Sequence, residues 1–510
     1  MNFDIAIIGF GVIGTESLHK ITSGLNKKKK IKIAIIEKDT NHIPGGVAYS
    51  KTKSKYGFFN NPLRLSNGEF KRWIKKKKNI EKIIKFINDN KDYNLSSWLS
   101  NNINFKKKKI LNEIYLPRLF YSFFLEEKIR RSIKNISKKK ILIKFFKGEL
   151  IKIEKKVNLI CNPKFSFKEH RLYLKKNDLT FKKVQNDFKF ISTNKIILGN
   201  GILPPKKINE ENNFANNNYI WDFYSEGGTS NLIKKINIFK NKKTINLVFI
   251  GNKAGLLETL PELENLISKN KRKLKIVSIA PNLLSLEKAE KSPKFKSYKF
   301  RYLINSNITK INNSKQILKL LLKEFSYAKN KGYNKYDVWT WILKKNIISK
   351  CYKKLSSNEK THYVEKIFPL IRNLTRYTFP STVYSKERLE KKKILKFFKD
   401  KVIKIKKQKD NIIVYTKNNI KFVGDIVINV SGPINLENIT NEAPMVTSLI
   451  KISSNLNYRG FIVDKNFEIE KNIFAPGTIA SNFNPNRLTI IKAVTLNSHK
   501  VVDKILKDIN

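Results

Sequence analysis

The sequence predicts an α/β protein with two dinucleotide-binding, Rossmann-like domains, the second of them inserted in a discontinuous first domain. The first observation is a glycine fingerprint at residues 9–14, which lies between a strand-like and a helix-like segment. A second segment of this kind starts at residue 245, and strand-like segments recur after residue 400. This alternation is typical of parallel sheets that bind nucleotides at the ends of their strands.

The N-terminal unit has the order strand, G-x-G-x-x-G, helix. Residues 3–8 are apolar and favour a strand, and residues 15–25 can continue as a helix. The first glycine permits a tight turn, the second lets the backbone approach a pyrophosphate, and the third lets helix and strand pack closely. The phosphates would lie at the helix N-terminus, where free N–H groups favour an anion. The three glycines are Gly9, Gly11 and Gly14.

An acidic residue ends the next predicted strand. Residues 31–36 form a second apolar segment, and Glu37 follows it. This position is close to the roughly 20 residues after the fingerprint at which an acid binds a ribose hydroxyl. A carboxylate also disfavours the 2′-phosphate of NADP. The first site therefore favours FAD or NAD.

A second nucleotide-type unit begins with a strand-like segment at 245–250, and Gly251 follows it. We expect a helix to about residue 268 and a further strand at 274–279. Lys253 stands where the fingerprint has its second glycine, and its side chain can obstruct the approach of a pyrophosphate. Its ammonium can instead bind a phosphate. Two interpretations follow, a functional nicotinamide site and a structural relic.

Basic residues dominate the charge of this 510-residue chain. Lys and Arg number 104 against 41 Asp and Glu, which gives a formal net charge of +63. Such a charge can attract nucleic acid or an anionic membrane surface. The lysines, however, form short runs along the whole chain, and the sequence shows no zinc-finger spacing, RNP-type motif or basic zipper. We therefore expect solvated basic faces and no specific nucleic-acid recognition.

The two cysteines, Cys161 and Cys351, lie far apart in the sequence. They exclude a disulfide scaffold and a clustered-cysteine zinc site, and they fit a reducing compartment. No metal site is predicted. The N-terminus enters a strand directly rather than a secretory signal, and no segment approaches the ~20 apolar residues that span a bilayer. The expected location is the cytoplasm, without a membrane span.

Further motifs follow Glu37 in an order that resembles the FAD-NAD(P)-binding family related to flavin-dependent N-hydroxylating and Baeyer–Villiger monooxygenases. The resemblance extends over nearly the whole chain, and the order and spacing of the motifs carry more weight than any single motif. The segments that carry it are Gly45–Ser50, Asn60–Ser66, Leu116–Arg118, Ile196–Gly201, Gly424–Pro433 and Asn472–Thr478.

The resemblance implies FAD at the first site and NADPH at the second. Gly9, Gly11, Gly14 and Glu37 would then hold the adenosine diphosphate part of FAD. Stretches containing Gly46 and Asn61 would approach the flavin ring, and the turn at Gly477 would close the site. The family usually has Asp after this last glycine, where this chain has Thr478. Gly251 and Lys253 would contact the nicotinamide dinucleotide.

If the late strands rejoin the first sheet, the chain divides into three parts. Residues 1–235 and 400–510 would form the two parts of a discontinuous FAD domain. Residues 236–399 would form an NAD(P)-binding-like domain with a helical insertion at about 310–375. Arg118 is a candidate for an anion or flavin contact, although an exposed helix arginine is the expected alternative.

The residues also limit the chemistry. A disulfide reductase needs a redox-active cysteine pair, which the chain lacks. A flavin monooxygenase needs a reduced nicotinamide, molecular oxygen and a dry pocket, but no nucleophile from the protein. We therefore predict NADPH-dependent oxygenation of a small-molecule or carrier-bound metabolite, with no catalytic residue identified. The alternatives are a flavin oxidase or dehydrogenase with a degenerate second site, and a basic non-enzymatic binding protein that retains the fold.

Overall fold

The fold is described from a computed structural model of the chain. It describes residues 2–510 except 27, 51–56, 60–62, 64–65, 91–92, 103–113, 137, 155–157, 162–166, 176–177, 209–217, 240, 271–272, 283–286, 289–297, 376, 379, 409, 435, 437–438, 440–442, 454, 458–459 and 481–489. The strands are β1 Asn2–Ile8, β2 Ile31–Glu37, β3 Ile141–Lys147, β4 Leu150–Ile153, β5 Asn158–Cys161, β6 Phe167–Lys175, β7 Asp178–Phe188, β8 Phe190–Leu198, β9 Tyr219–Ile220, β10 Thr244–Ile250, β11 Lys273–Ala280, β12 Glu287–Lys288, β13 Tyr377–Thr378, β14 Leu395–Lys399, β15 Val402–Gln408, β16 Asn411–Thr416, β17 Lys421–Gly424, β18 Ile426–Asn429, β19 Leu456–Asn457, β20 Gly460–Phe461, β21 Glu468–Glu470 and β22 Ile473–Phe474.

The α-helices are α1 Val12–Gly24, α2 Gly46–Tyr49, α3 Gly68–Ile74, α4 Lys77–Asn90, α5 Tyr93–Asn101, α6 Leu119–Ile136, α7 Gly228–Ile238, α8 Ala254–Asn270, α9 Asn305–Thr309, α10 Ser314–Asn330, α11 Lys335–Lys344, α12 Ile347–Lys354, α13 Ser357–His362, α14 Phe368–Leu374, α15 Pro380–Lys391, α16 Pro444–Ile452 and α17 Ile490–Ile509. A short 3₁₀ helix covers Thr40–His42, and a π-helical turn covers Tyr363–Ile367.

The first sheet has a parallel centre in the order β22-β8-β1-β2-β3. Antiparallel strands extend it, with β6 and β7 beyond β3 and with β21 beyond β22. The late strands β21 and β22 thus rejoin the sheet that the N-terminus begins. The predicted return of the chain to the first sheet is confirmed.

Successive residues of β1 supply the cores on the two faces of this sheet, because side chains alternate along a strand. Ile5 and Ile7 pack on the face that α1, α6 and α17 cover. Ala6 and Ile8 pack on the opposite face, where α16 contributes Met445. Such strands, buried on both sides, read as continuous apolar segments in the sequence.

The second sheet is parallel throughout, in the order β14-β11-β10-β18-β9. The strand predicted at 245–250 corresponds to β10, and the helix predicted to end near residue 268 corresponds to α8. The strand predicted at 274–279 corresponds to β11. Residues 424–433, which resemble a late strand of the family, contain β18, and this strand pairs with β10 of the second sheet rather than with the first sheet.

The strand pairing bears on the boundaries of the predicted parts. Strand β9 precedes residue 236 and β18 follows residue 399, yet both belong to the second sheet. The division into 1–235, 236–399 and 400–510 stays a prediction. The pairing favours a second unit that begins before β9 and ends after β18.

A helical insertion lies between β11 and β14, and α9 to α14 form it. Its apolar side chains make a separate core, against which Trp339 and Trp341 pack. Helix α10 begins with a capping box in which Asn313 and Gln316 exchange side-chain and backbone hydrogen bonds. The predicted helical region is therefore confirmed. None of the helices in the described part of the chain is long and apolar enough to cross a membrane.

Candidate nucleotide-binding sites

The first candidate site lies at the carboxyl end of β1. This strand has β2 on one side and β8 on the other, so the order of the sheet reverses there. Parallel α/β sheets bind their ligands at such a switch point. Helix α1 starts directly after the turn, with Gly11 as its N-cap and no capping side chain or acidic residue in its first turn. Its N-terminus is therefore suited to an anion.

Close backbone contacts explain two of the fingerprint glycines. Gly9 has a φ of +84°, and a Cβ placed on it would lie 2.5 Å from the carbonyl oxygen of Gly199. A Cβ on Gly14 would collide with the carbonyl oxygen of Gly9. Gly199, which directly follows β8, in turn donates its N–H to Ile8 at 2.6 Å. The turn therefore joins β1, α1 and β8 through contacts that leave no room for side chains.

Two distant segments complete the surroundings of this turn. Gly46 lies against Gly11, since a Cβ on Gly46 would be 3.3 Å from the Gly11 Cα. Gly477 follows β22, and a Cβ on it would be 2.9 Å from Ile13 Cδ1. Thr478 donates its hydroxyl to the carbonyl oxygen of Gly201 at 2.7 Å. The structure thus brings Gly9, Gly11, Gly14, Gly46 and Gly477 together. Asn61 lies outside the described residues.

Glu37 is placed beside the glycine turn rather than in open solvent. Its Oε2 accepts the Phe10 N–H at 2.7 Å, and its Oε1 accepts the Asp39 N–H at 3.1 Å. Burial raises the pKa of this carboxyl, and the backbone hydrogen bonds only partly oppose the effect. The sequence prediction placed this acid at the end of β2 as a ligand of a ribose hydroxyl, and it missed the support that the carboxylate gives to the turn.

An aromatic cluster adjoins Gly46 and was not identified from the sequence. Tyr49, Phe59, Phe70, Tyr121 and Phe124 form it, with ring centroids 5.0–6.1 Å apart. These residues come from α2, the segment before residue 60, α3 and α6. Only their three-dimensional arrangement reveals the cluster, since no single segment shows it. The cluster provides an apolar wall that excludes water next to Gly46 and the glycine turn.

The second candidate site repeats the switch-point geometry, with β10 between β11 and β18. Gly251 follows β10 with a φ of +106° and donates its N–H to Ile279 at 2.7 Å. A Cβ on Gly255 would lie 2.6 Å from Val430 Cγ1, so α8 packs closely on the end of β18. The exposed Lys253 precedes α8, and its Nζ would be 3.8 Å from a Cβ on Gly432. The ammonium thus reaches across the ends of β10 and β18.

The expectation that Arg118 is an exposed helix arginine was wrong. Its side chain is only 14% exposed, and it forms a 2.5 Å ion pair with Glu258 of α8. Its Nε also donates to the carbonyl oxygen of Phe58 at 2.9 Å. Proximity in sequence could not reveal this, because the partner belongs to the second nucleotide unit.

Comparison with solved structures finds chains that align with nearly the whole length of this chain, with modest structural similarity. FAD-bound DfoA, a cadaverine monooxygenase from Erwinia amylovora, aligns with 9% identity over 99% of this chain and 94% of its own, with a TM-score of 0.49. The reduced form of ornithine hydroxylase PvdA from Pseudomonas aeruginosa aligns with 9% identity over 100% of both chains, with a TM-score of 0.48.

Sequence comparison finds relatives that align with about half of this chain. An uncharacterized protein of Mycobacterium tuberculosis is 22% identical over 51% of this chain and 47% of its own length. An uncharacterized protein of Mycobacterium bovis gives the same values. The match therefore spans about half the length of these relatives. Residues 6–159, which include β2, α1 and Glu37, match the model of the FAD-NAD(P)-binding family, and over this part of the chain the family resemblance is confirmed.

Proposed function

We propose that this protein is an FAD-dependent oxidoreductase, and more narrowly an NADPH-dependent monooxygenase of a small-molecule or carrier-bound metabolite. The observation that carries the proposal is the convergence of four backbone segments on the uncapped N-terminus of α1. Those segments contain Gly9, Gly46, Gly199 and Gly477. This cradle, in the part of the chain that matches the family model, fits a dinucleotide.

Each part of the cradle has a role toward FAD. Gly11 and the first turn of α1 would receive the pyrophosphate, because a side chain at Gly11 is absent and the helix N-terminus favours an anion. Glu37 fixes the turn through Phe10 and is placed at the end of β2, where an acid reaches a ribose. FAD held by these residues would supply the redox chemistry between a nicotinamide and oxygen, which side chains cannot provide.

The protein's own contribution beside the cofactor is to exclude water. Within the aromatic cluster Phe70, Tyr121 and Phe124 are buried, whereas Tyr49 and Phe59 are partly exposed. A dry wall strengthens electrostatic interactions and protects reactive species from water. It fits oxygenation, which requires no nucleophilic side chain. Molecular oxygen and the metabolite are therefore the proposed co-substrates.

For the second site we propose NADPH. Lys253 places an ammonium at the switch point of the second sheet, and α8 begins one residue later. An ammonium there complements phosphate charge. The same observation keeps a second candidate open. If the side chain instead fills the place of the pyrophosphate, the protein is a flavin oxidase or dehydrogenase with a degenerate second site.

Anaerobic mixing of the FAD-loaded protein with NADPH, and separately with NADH, tests the proposal through the flavin absorbance. Bleaching by NADPH supports the proposed function. No bleaching by either nucleotide rules out an NADPH-dependent monooxygenase and leaves the oxidase or dehydrogenase. Failure to bind FAD at all favours a basic binding protein that retains the fold. We also propose a cytoplasmic location, which rests on the small number of cysteines.

A further inference from the structure

The segment before α6 is anchored firmly in the first unit. Phe59 donates its N–H to Leu116 at 2.9 Å, and Arg118 donates its N–H to Gly57 at 2.9 Å. Phe58 and Pro117 form an antiparallel bridge between these contacts. The guanidinium lies against Gly57, where a Cβ would be 3.4 Å from Arg118 Nη1. Arg118 is thus held in place by backbone on the side of the first site.

The other end of Arg118 reaches the second unit. Its Nη2 donates to Glu258 Oε1 at 2.5 Å, and the two side chains are 14% and 18% exposed. Glu258 lies in the second turn of α8, the helix whose N-terminus borders the second candidate site. One ion pair, mostly withdrawn from water, therefore links the backbone beside the aromatic cluster to the nucleotide helix of the other unit.

The electrostatics of this pair fit a permanent link. Burial opposes the charge of Arg118, but the carboxylate of Glu258 outweighs it, and the pKa of Arg118 is raised. The guanidinium of Arg118 therefore stays charged at any working pH. Removing one partner would leave the other charge buried without compensation, which disfavours the docked arrangement of the two units.

We infer that Arg118 and Glu258 are positioning residues that hold the second nucleotide site in register with the first. The kinetic part of this inference rests on the proposed function, because it concerns the transfer of electrons from NADPH bound at one unit to FAD bound at the other. Reaction between two bound groups depends steeply on their separation, and a misplacement of about 1 Å can cost about a hundredfold in rate. The pair acts through placement and touches neither reacting group.

The chain offers a matched control on the same helix. Glu264 of α8 forms a bidentate pair with Arg388 of α15, with distances of 2.5 and 2.7 Å. This pair stays within the second unit. Glu258→Gln and Glu264→Gln therefore remove one Arg–Glu pair each from α8, and only the first change breaks a link between the units.

The experiment compares the wild-type protein, both single variants and the charge-swapped double variant R118E/E258R. Stopped-flow measurements give the limiting rate of flavin reduction and the Kd for NADPH. Hydrogen–deuterium exchange of residues 254–262 and 57–59 gives a second measurement that needs no nucleotide. We expect Glu258→Gln to lower the limiting rate about tenfold or more, with an unchanged content of FAD, and to speed exchange in both segments. The double variant should recover part of both effects.

The control and the contrary outcomes are separable. Glu264→Gln should retain the wild-type limiting rate and the wild-type exchange of residues 57–59. If Glu258→Gln matches the wild type in both measurements, the inference is overturned. If it behaves no differently from Glu264→Gln, the effect is a loss of helix stability, and the inference is likewise overturned. If NADPH does not reduce even the wild type, the proposed function fails, and the exchange data alone decide whether the pair joins the two units.

Discussion

At the scale of single residues, Gly11 and Gly14 separate cofactor binding from folding. A Cβ on Gly11 would make only ordinary contacts, the nearest 3.5 Å from Gly46 Cα, whereas a Cβ on Gly14 would collide with Gly9. We expect Gly11→Leu to fold normally but to lose bound FAD, because its side chain occupies the place of the pyrophosphate. Gly14→Ala should lower the free energy of unfolding by about 1–3 kcal/mol through overpacking. Flavin absorbance and urea unfolding measure the two effects, and full FAD occupancy in Gly11→Leu would refute the proposed first site.

Lys253 is the residue on which the two interpretations of the second site differ. If its ammonium binds a phosphate, Lys253→Gly should raise the Kd for NADPH about 1.4- to fivefold, since an exposed charge pair contributes about 0.2–1 kcal/mol. FAD content should not change, because the residue lies at the other sheet. A lower Kd in the variant would show that the side chain obstructs the site. Stopped-flow titration with NADPH distinguishes these results.

Residues differ in how far sequence alone could identify their roles. Gly9 and Glu37 were predictable because their partners lie within one strand–turn–helix–strand unit, whose spacing the sequence records. The hydrogen bond from the Phe10 N–H to the Glu37 carboxylate was not predictable, since the order of residue types in a sequence does not show where a side chain points. Arg118 was misjudged because its partner Glu258 becomes a neighbour only when two units pack.

At the scale of elements, α1, α6 and α17 meet around a buried carboxylate. Glu16 of α1 is 0% exposed and pairs with Lys128 of α6 at 2.6 Å and with His499 of α17 at 3.2 Å. Lys128 also contacts Glu69 at 2.5 Å. Burial raises the pKa of Glu16, but the bonds and charges of His499 and Lys128 outweigh it, and the pKa lies below its usual value of 4.5.

This junction should stabilise the helix layer in a pH-dependent way. A lowered pKa in the folded state contributes stability above the unfolded value of 4.5, and that contribution is lost as the pH falls through the folded pKa. We expect Glu16→Gln to cost about 3 kcal/mol at pH 7, the lower end for breaking a buried pair because Lys128 keeps Glu69. The difference in the free energy of unfolding between variant and wild type should become smaller below pH 4.5. Urea unfolding at several pH values measures it, and a gap independent of pH would contradict the role of charge.

Elements also show where prediction from sequence stops. The bounds of β10, α8 and β11 followed from apolar periodicity, which is a local property. The partner of β18 did not, because a short apolar strand buried on both faces fits either parallel sheet equally well. In the structure it pairs with β10, where Val427 is opposite Val248, a residue far away in the chain.

At the scale of the whole molecule, the chain has a net charge of +63, because its acidic residues are too few to neutralise its lysines and arginines. Many lysines lie on exposed faces of both units rather than in one groove. Dispersed ammonium groups neutralise phosphates without reading base edges, so any binding to DNA or RNA should be electrostatic and indifferent to sequence. This stays a prediction.

Binding of duplexes of equal length but different sequence, measured by fluorescence anisotropy over a range of salt, tests this last prediction. With ~6–10 phosphate contacts, the affinity should fall about 10³- to 10⁵-fold between about 50 and 200 mM salt. Duplexes of different sequence should give the same curve, because no base-reading element contributes. Gly11→Leu serves as a control, since the loss of FAD leaves the lysines in place and should leave the curve unchanged. A preference for one sequence that persists at high salt would show a base-reading surface on this fold and would contradict the prediction.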